Sequence, residues 1–283
     1  MKRHIKIDIL YEDVDYVAVN KPVGLVVHSD GKTVEPLLTD WVVEHYPKTA
    51  KVGEPLVINA STAAIEDEED ATIAEPLAPV VIARPGIVHR LDRGTSGVII
   101  IAKNQKAHAY LKEQFQARSI TKKYLAFVYG EFTDPTDKYG IIDRPIGRSK
   151  KDFRRWSAQR GARGEMRPAE TWYTVLANRK GFDDGTGRRS GNGFAFLELE
   201  PKTGRTHQIR VHLKAINHPV VCDSLYATER SCALGFGRTA LHARSIEFTN
   251  MKGKRISVIA PLPADFKKAG KELEIDLKSI IKQ

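Results

Sequence analysis

The stretch GVIIIAKN, residues 97–104, constrains the fold most. Apolar β-formers occupy consecutive positions here, without the alternation that gives a half-solvated strand its wet face, so the run reads as a buried strand. The residues just before it are of another kind. Arg90-Leu91-Asp92-Arg93 sets a carboxylate between two guanidinium groups, and Gly94-Thr95-Ser96-Gly97 follows. A neighbouring cation favours the ionised form of a carboxylate. Gly94 and Gly97 allow backbone conformations closed to other residues, so the loop can approach a ligand closely. A strand-edge turn with a satisfied salt bridge would give the same string, so the cluster by itself does not separate a site from a turn.

The rest of the chain alternates irregularly between strands and helices. IKIDILYED and YVAVNKP read as two strands joined by an acidic turn, followed by GLVVH. Leu37, Leu38, Trp41, Val42 and His45 share one helical face. NQKAHAYLKEQFQAR is a helix, with Asn104 as its cap and Ala107, Leu111 and Phe115 at i, i+4 and i+8. TKKYLAFVYGEF is a strand, AETWYTVLANR and GFAFLELEPKTG form a strand pair around a Gly-rich basic loop, and RTHQIRVHLKAIN is a helix facing inward through Ile209, Leu213 and Ile216. RTALHARSIEFT and RISVIAPL return to strand before a charged closing helix. The pattern predicts an α+β fold with a mixed, largely antiparallel sheet in one domain spanning 1–283. Two segments stand apart as expected surface features: an acidic insertion over about 55–80 and a basic loop over 144–168.

The 283 residues carry a net charge of +10 and are 41% hydrophobic, enough to bury a sizeable core. No apolar run approaches the roughly 20 residues that span a bilayer, and the N-terminus reads as a strand, not a signal peptide. Two cysteines, Cys222 and Cys232, are too few for a disulfide framework, which makes a reducing cytoplasm the expected compartment. The positive charge is clustered. Between Arg144 and Arg167 nine residues are basic against Asp152 and Glu165, with Phe153 and Trp156 among them. Clustered Lys and Arg interleaved with aromatics suit a polyanion with stackable bases, RNA or DNA.

Two further segments exceed what a core needs. In KTGRTHQIRVHL, residues 202–213, Arg205, His207, Arg210 and His212 crowd the start of a helix just after Gly204. A helix N-terminus favours anions, so a carboxylate or phosphate partner fits there, although a solvated basic face would look the same. His207 and His212 lie off one helical face with no third ligand apparent, so no metal is expected. In KKYLAFVYG, Tyr124 either faces a cleft or packs in the sheet.

HRLDRGTSG, KKYLAFVYG and GRTHQIRVHL, in that order and with NKPVGLVVH upstream, resemble the RluA-type pseudouridine synthases from about Tyr11 to about Ile259. The resemblance implies the pseudouridine synthase fold: a bisected, largely antiparallel sheet with flanking helices and a central catalytic cleft. It implies an isomerase that converts uridines of rRNA or tRNA to pseudouridine without a cofactor, working in the cytoplasm as a monomer on an RNA partner. It makes Asp92 the catalytic residue, has Arg90 fill the space vacated by a flipped-out nucleotide, stacks Tyr124 on the target base and pairs Arg205 with Asp92. His89, Arg93, Thr95, His207 and Arg210 join Arg90 as candidate substrate contacts.

The chain departs from the family pattern in three respects. Cys222 occupies a position in HPVVCDSLY where the family usually has Gly, the acidic stretch is longer than expected, and no N-terminal S4 RNA-binding domain is expected. Two other functions fit parts of the pattern. A non-catalytic RNA-binding or ribosome-assembly factor would show a degenerate catalytic loop, whereas Asp92, Tyr124 and Arg205 are all present. A nucleoside or glycoside hydrolase usually needs paired carboxylates or a metal, and the motif offers one Asp.

Overall fold

A computed structural model describes residues 6–29, 35–58, 79–159, 162–180, 193–277 and 279. Its centre is a nine-stranded sheet. In chain order the strands are β1 (Asp8–Glu12), β2 (Tyr16–Lys21), β5 (Ser96–Ala102), β6 (Thr121–Tyr129), β7 (Tyr139–Asp143), β11 (Glu170–Arg179), β12 (Phe194–Pro201), β13 (Leu241–Thr249) and β14 (Arg255–Ile259). In space they run β1-β2-β5-β13-β6-β12-β11-β7, with β14 beside β13. The apolar run is indeed buried along its whole length, because β5 lies inside the sheet between β2 and β13.

β13 is the seam. Its first residues pair in parallel with β5 and its later ones pair with β14, while β6 runs along its other edge. The contact with β5 is short: His242 opposite Ser96 and Ala243 opposite Gly97. Gly97 sits at φ +114°, and a Cβ there would lie 2.1 Å from the Ala243 carbonyl oxygen. The backbones can meet at this point only through glycine. Two apolar cores flank the seam. One gathers β6, β12 and α4 (Ala264–Glu272), and the other gathers β2, β5, β14, α1 (Leu38–His45) and α2 (Gln105–Gln116). Tyr124 packs against both.

Local signals match the elements they announced. The Asn104 side chain accepts from the Ala107 N–H and starts α2, and Ala107 and Leu111 are buried beneath it. GLVVH forms no strand; Val26 makes only an isolated bridge to Leu37. The expected basic loop is itself folded. β8 (Ile146–Arg148), β9 (Trp156–Ser157) and β10 (Arg163–Arg167) form a three-stranded sheet. Apolar residues hidden among the charges, Ile146, Ala158 and Ala169, pack there on Val211 and Tyr226. The acidic insertion falls largely on 59–78, outside the described residues; its two ends pair as β3 (Leu56–Ile58) and β4 (Val80–Ile82). The Gly-rich loop between β11 and β12 also falls outside, at 181–192.

Cys222 and Cys232 are joined as a disulfide with a Cα–Cα distance of 4.6 Å, so two cysteines make one covalent clip although they could not make a framework. Cys222 has φ +59°, the left-handed region in which glycine is most at ease, which explains why glycine suits that position. Among the described residues no helix is long and apolar enough to cross a membrane.

Replacing Gly97 with Ala is expected to destabilise the fold by about 3 kcal/mol or more, since it combines a positive φ with a backbone clash. Urea unfolding of Gly97→Ala beside Gly94→Ala measures this. Gly94 has no positive φ and its Cβ would meet Thr239 Oγ1 at 3.1 Å, so its change should be clearly smaller.

Candidate active site

The loop between β4 and β5 carries Asp92, and three contacts fix its course. Leu91 is buried in one core, the Thr95 N–H donates to the Asp92 carbonyl at 3.0 Å, and the Gly24 N–H donates to the Arg93 carbonyl at 2.8 Å. Leu91 pointing inward leaves Arg90 exposed and turns Asp92 toward the cleft. Behind the loop lies the fully buried Lys21, whose ammonium donates to the carbonyls of Pro22 and Leu25. Burial draws its pKa down to about 7, against the opposing pull of Asp92.

The cation that holds Asp92 is Arg210. Its Nη1 donates to Asp92 Oδ2 at 3.0 Å, while Nε and Nη2 clamp Asp223 at 2.6 and 2.7 Å. Arg210 and Asp223 are buried. Burial disfavours the charged guanidinium, but the hydrogen bonds and charge of Asp223, with those of Asp92, outweigh it and leave the Arg210 pKa above its ordinary value. The expected Arg205–Asp92 pair does not form. Arg205 sits in the turn before α3 (Gln208–Ala215), and its Nε donates instead to the Pro168 carbonyl at 3.1 Å. The helix begins only at Gln208, so Arg210 in its first turn faces the carboxylate and Arg205 reaches the cavity rim.

Gln208 explains the turn. Its Oε1 accepts from Thr203 Oγ1 and the Arg205 N–H, and its Nε2 donates to the Glu170 carbonyl and Thr171 Oγ1, tying α3 to the end of the sheet. His207 precedes the helix in a left-handed conformation at φ +56°. Its Nδ1 lies 2.9 Å from Tyr226 Oη, and its Nε2 is 3.9 Å from Asp92 Oδ1. Burial lowers the His207 pKa despite the nearby Asp92. Tyr226 Oη also accepts from the Trp156 N–H at 2.9 Å, which joins the basic three-stranded lobe to the site. His212 is no surface cation. It is buried between Thr171 Oγ1 and the Arg144 carbonyl.

Asp92 stands where two cavities meet. One, of about 530 Å³, is lined by Tyr124 and by seven Arg or Lys side chains, with Asp92 the one carboxylate among the described residues that line it. The other, of about 980 Å³, lies on the far side of the loop and includes Arg93, Arg238 and the disulfide. Arg90, Leu91, Asp92, Thr95, His207 and Arg210 border both. Burial, and then the charge of Asp92, raises the Tyr124 pKa, so the phenol is neutral at ordinary pH. His89 lines the first cavity too, but its Nε2 accepts from the Ile100 N–H at 3.1 Å and its ring stacks on Phe115. Arg93 is exposed and paired with Glu35 at 2.5 Å. Thr95 is buried.

The structure therefore brings Asp92, Tyr124, Arg90, His207 and Arg210 together and gives Arg205, His89 and Arg93 other partners. Asp223, Tyr226 and Lys21 were missed. CDSLY and NKP each contain them, but short strings of ordinary residues carry no mark of burial against a distant loop.

Residues 15–215 match a family model described as RNA pseudouridylate synthase. A Synechocystis protein called an uncharacterized RNA pseudouridine synthase is 34% identical over 94% of this chain and 68% of its own length. The ribosomal large subunit pseudouridine synthase D of Zymomonas mobilis is 30% identical over 96% of this chain and 74% of its own length. In fold, the chain is similar to human RNA Pseudouridylate Synthase Domain Containing 4, with a TM-score of 0.63 at 22% identity, covering 95% of this chain and 94% of that one.

Arg210→Ala would leave the buried Asp223 carboxylate unpaired, so about 3–5 kcal/mol of stability should be lost, against less than about 1 kcal/mol for Arg205→Ala. Chemical denaturation of the two variants reads the difference.

A pH dependence also follows from buried neutral imidazoles. Burial lowers the pKa of His89 to about 3 and of His242, whose Nδ1 meets Ser96 Oγ at 2.9 Å, to about 4. The unfolded chain protonates these groups near their ordinary value of about 6.5. Below that pH it binds protons the folded chain does not, so stability falls on acidification, by at most about 1.4 kcal/mol per pH unit per group. The loss continues down to the folded pKa values, and neither group changes stability above about pH 7. Urea midpoints between about pH 7 and pH 4.5 should decline less steeply in His242→Gln than in the parent.

Proposed function

The chain belongs to the RNA pseudouridylate synthase family and is a pseudouridine synthase, and on that premise we propose that it isomerises specific uridines in structured large-subunit rRNA or tRNA, with Asp92 acting on a flipped-out nucleotide. The observation that carries this reading is the Asp92 carboxylate, aimed by the buried Arg210, in a cavity lined by Tyr124 and by seven Arg or Lys side chains. The name of the Zymomonas mobilis relative, and the same name for a Yersinia pestis protein 31% identical to this chain, support the ribosomal substrate.

The chemistry breaks the N1–C1′ bond of uridine, turns the uracil and joins C5 to C1′. The C5 proton is lost, N1 gains one, and no electrons are exchanged with an outside partner. A carboxylate serves this as a nucleophile at C1′ or at C6, or as the base that removes a ribose proton to give a glycal. Arg210 holds the Asp92 carboxylate in place for any of the three. Flipping a uridine out of a stem costs a few kcal/mol, and stacking on Tyr124 returns about 1–3 kcal/mol of that. Arg90, exposed and bordering both cavities, is placed to fill the vacated stack. The RNA substrate supports the cytoplasm as the compartment, whereas the Cys222–Cys232 disulfide runs against the reducing environment expected there.

Pseudouridine mapping across the transcriptome in wild type, a deletion and the deletion complemented with Asp92→Ala tests the proposal. One or a few sites should vanish in the deletion and stay absent with the variant. Purified Asp92→Ala should lose more than about 10³-fold in rate on the mapped RNA, equivalent to about 4 kcal/mol of barrier. If purified wild type leaves every uridine of total RNA unchanged, the proposal fails.

A further inference from the structure

Lys122 and Lys123 are consecutive on β6 and so point to opposite faces of the sheet. Lys123 is paired with Glu198, Nζ to Oε1 at 2.8 Å. Lys122 shares the face of Tyr124, about 7 Å along the strand, and lines the same cavity. Among the described residues Lys122 has no hydrogen bond and no ion pair; its ammonium lies 5.6 Å from the centre of the Phe115 ring. Glu200 is the acidic group that acts on it, but that carboxylate is bonded to Lys202, which in turn rests 3.9 Å over the Trp172 ring. Burial without a counter-ion draws the Lys122 pKa down to about 8.

Arg84 enters the same cavity, and its buried Nε has no hydrogen-bond partner. Asp92, the one lining carboxylate among the described residues, is committed to Arg210. Among the described residues neither cation has a carboxylate at hydrogen-bond distance: Glu54 and Glu200 act on Arg84 and Lys122 from further off, each bonded to another lysine, so the charge of the two cations is only partly offset.

We infer that Lys122 forms a phosphate subsite on the wall of the cavity that Arg84 also lines, and that it takes a phosphodiester group flanking the uridine stacked on Tyr124. The inference rests on the proposed RNA substrate and adds the contact that sets the nucleotide's backbone. Lys122 holds the phosphate as a point charge on the strand that carries the stacking ring, so base and backbone are gripped from one rigid element. The anion offsets the charge of the lining cations, which makes the subsite a source of binding energy and not of chemistry.

The test compares wild type with Lys122→Met and Lys122→Arg on an RNA carrying a single target uridine. The RNA is unmodified, or has a neutral methylphosphonate at the 5′ or the 3′ phosphate of that uridine. Lys122→Met should raise KM about tenfold with kcat within about twofold, and Lys122→Arg should stay close to wild type. One methylphosphonate should raise the wild-type KM by a similar factor and add nothing further in Lys122→Met. RNA binding as a function of salt reads the same contact without turnover, the slope of log affinity against log salt shrinking by about one unit in Lys122→Met. An unchanged salt slope in Lys122→Met, or methylphosphonate effects that multiply with the substitution, would overturn the subsite. Wild type that binds the RNA with the expected slope change yet forms no pseudouridine would sink the synthase reading and leave the subsite standing.

Discussion

One buried guanidinium organises the site. Arg210 spends two of its donors on Asp223 and a third on Asp92, so a single planar group bridges the 220s loop, helix α3 and the loop that precedes β5. A lysine could not replace it, because the fork needs three donors fixed in one plane and a buried ammonium would lose its proton far more readily. Removing such a charge from water is expensive. Asp223, whose side chain is fully buried, offsets that cost and leaves the third donor free to aim Asp92. The division of labour is visible in exposure: the Asp92 side chain is 19% exposed and the Asp223 side chain is 0% exposed. One carboxylate serves the cation and the other serves the cleft.

The sheet brings these pieces within reach of each other. β13 switches partners along its length, and the Asp92 loop, which leads into β5, meets α3 through the Arg210–Asp92 ion pair. Gly97 is the hinge of that arrangement, since the parallel contact with Ala243 exists only where β5 has no Cβ. The glycines of the loop thus do different work from what their position beside a carboxylate suggests. Gly97 serves the approach of a strand, not of a ligand. The turn ahead of it is held by its own backbone and by Leu91, so Asp92 is presented by a rigid loop.

Much of this was legible in the sequence, for identifiable reasons. The buried strand, the Asn104 cap and the alternation of strands and helices all follow from local periodicity and turn chemistry. Asp92 could be singled out as the candidate carboxylate because the motif that carries it is long and specific. What escaped depends on the third dimension. GRTHQIR offers two arginines, and which one meets Asp92 turns on where the helix starts, an assignment that shifts by a residue or two in any sequence reading. Asp223 and Lys21 bear on the site through their burial beside Arg210 and Asp92, which no spacing rule reports. Charge in the 144–168 segment masked three short strands, because few apolar residues suffice when the lobe leans on Val211 and Tyr226.

The two halves of the site treat charge in opposite ways. Around Asp223 every charge is matched at hydrogen-bond distance, and the geometry is accordingly fixed before any substrate arrives. Across the first cavity, among the described residues, the cations outnumber the carboxylates seven to one, and that imbalance cannot be a source of stability. It is sustained by the two apolar cores on either side of the seam, which stabilise the fold enough to tolerate it. A fold under selection for stability alone would neutralise Lys122 as it neutralises Lys123. The unmatched charge makes sense as half of an interaction whose other half is a polyanion, and the matched charge as the instrument that keeps Asp92 aimed while that polyanion is gripped.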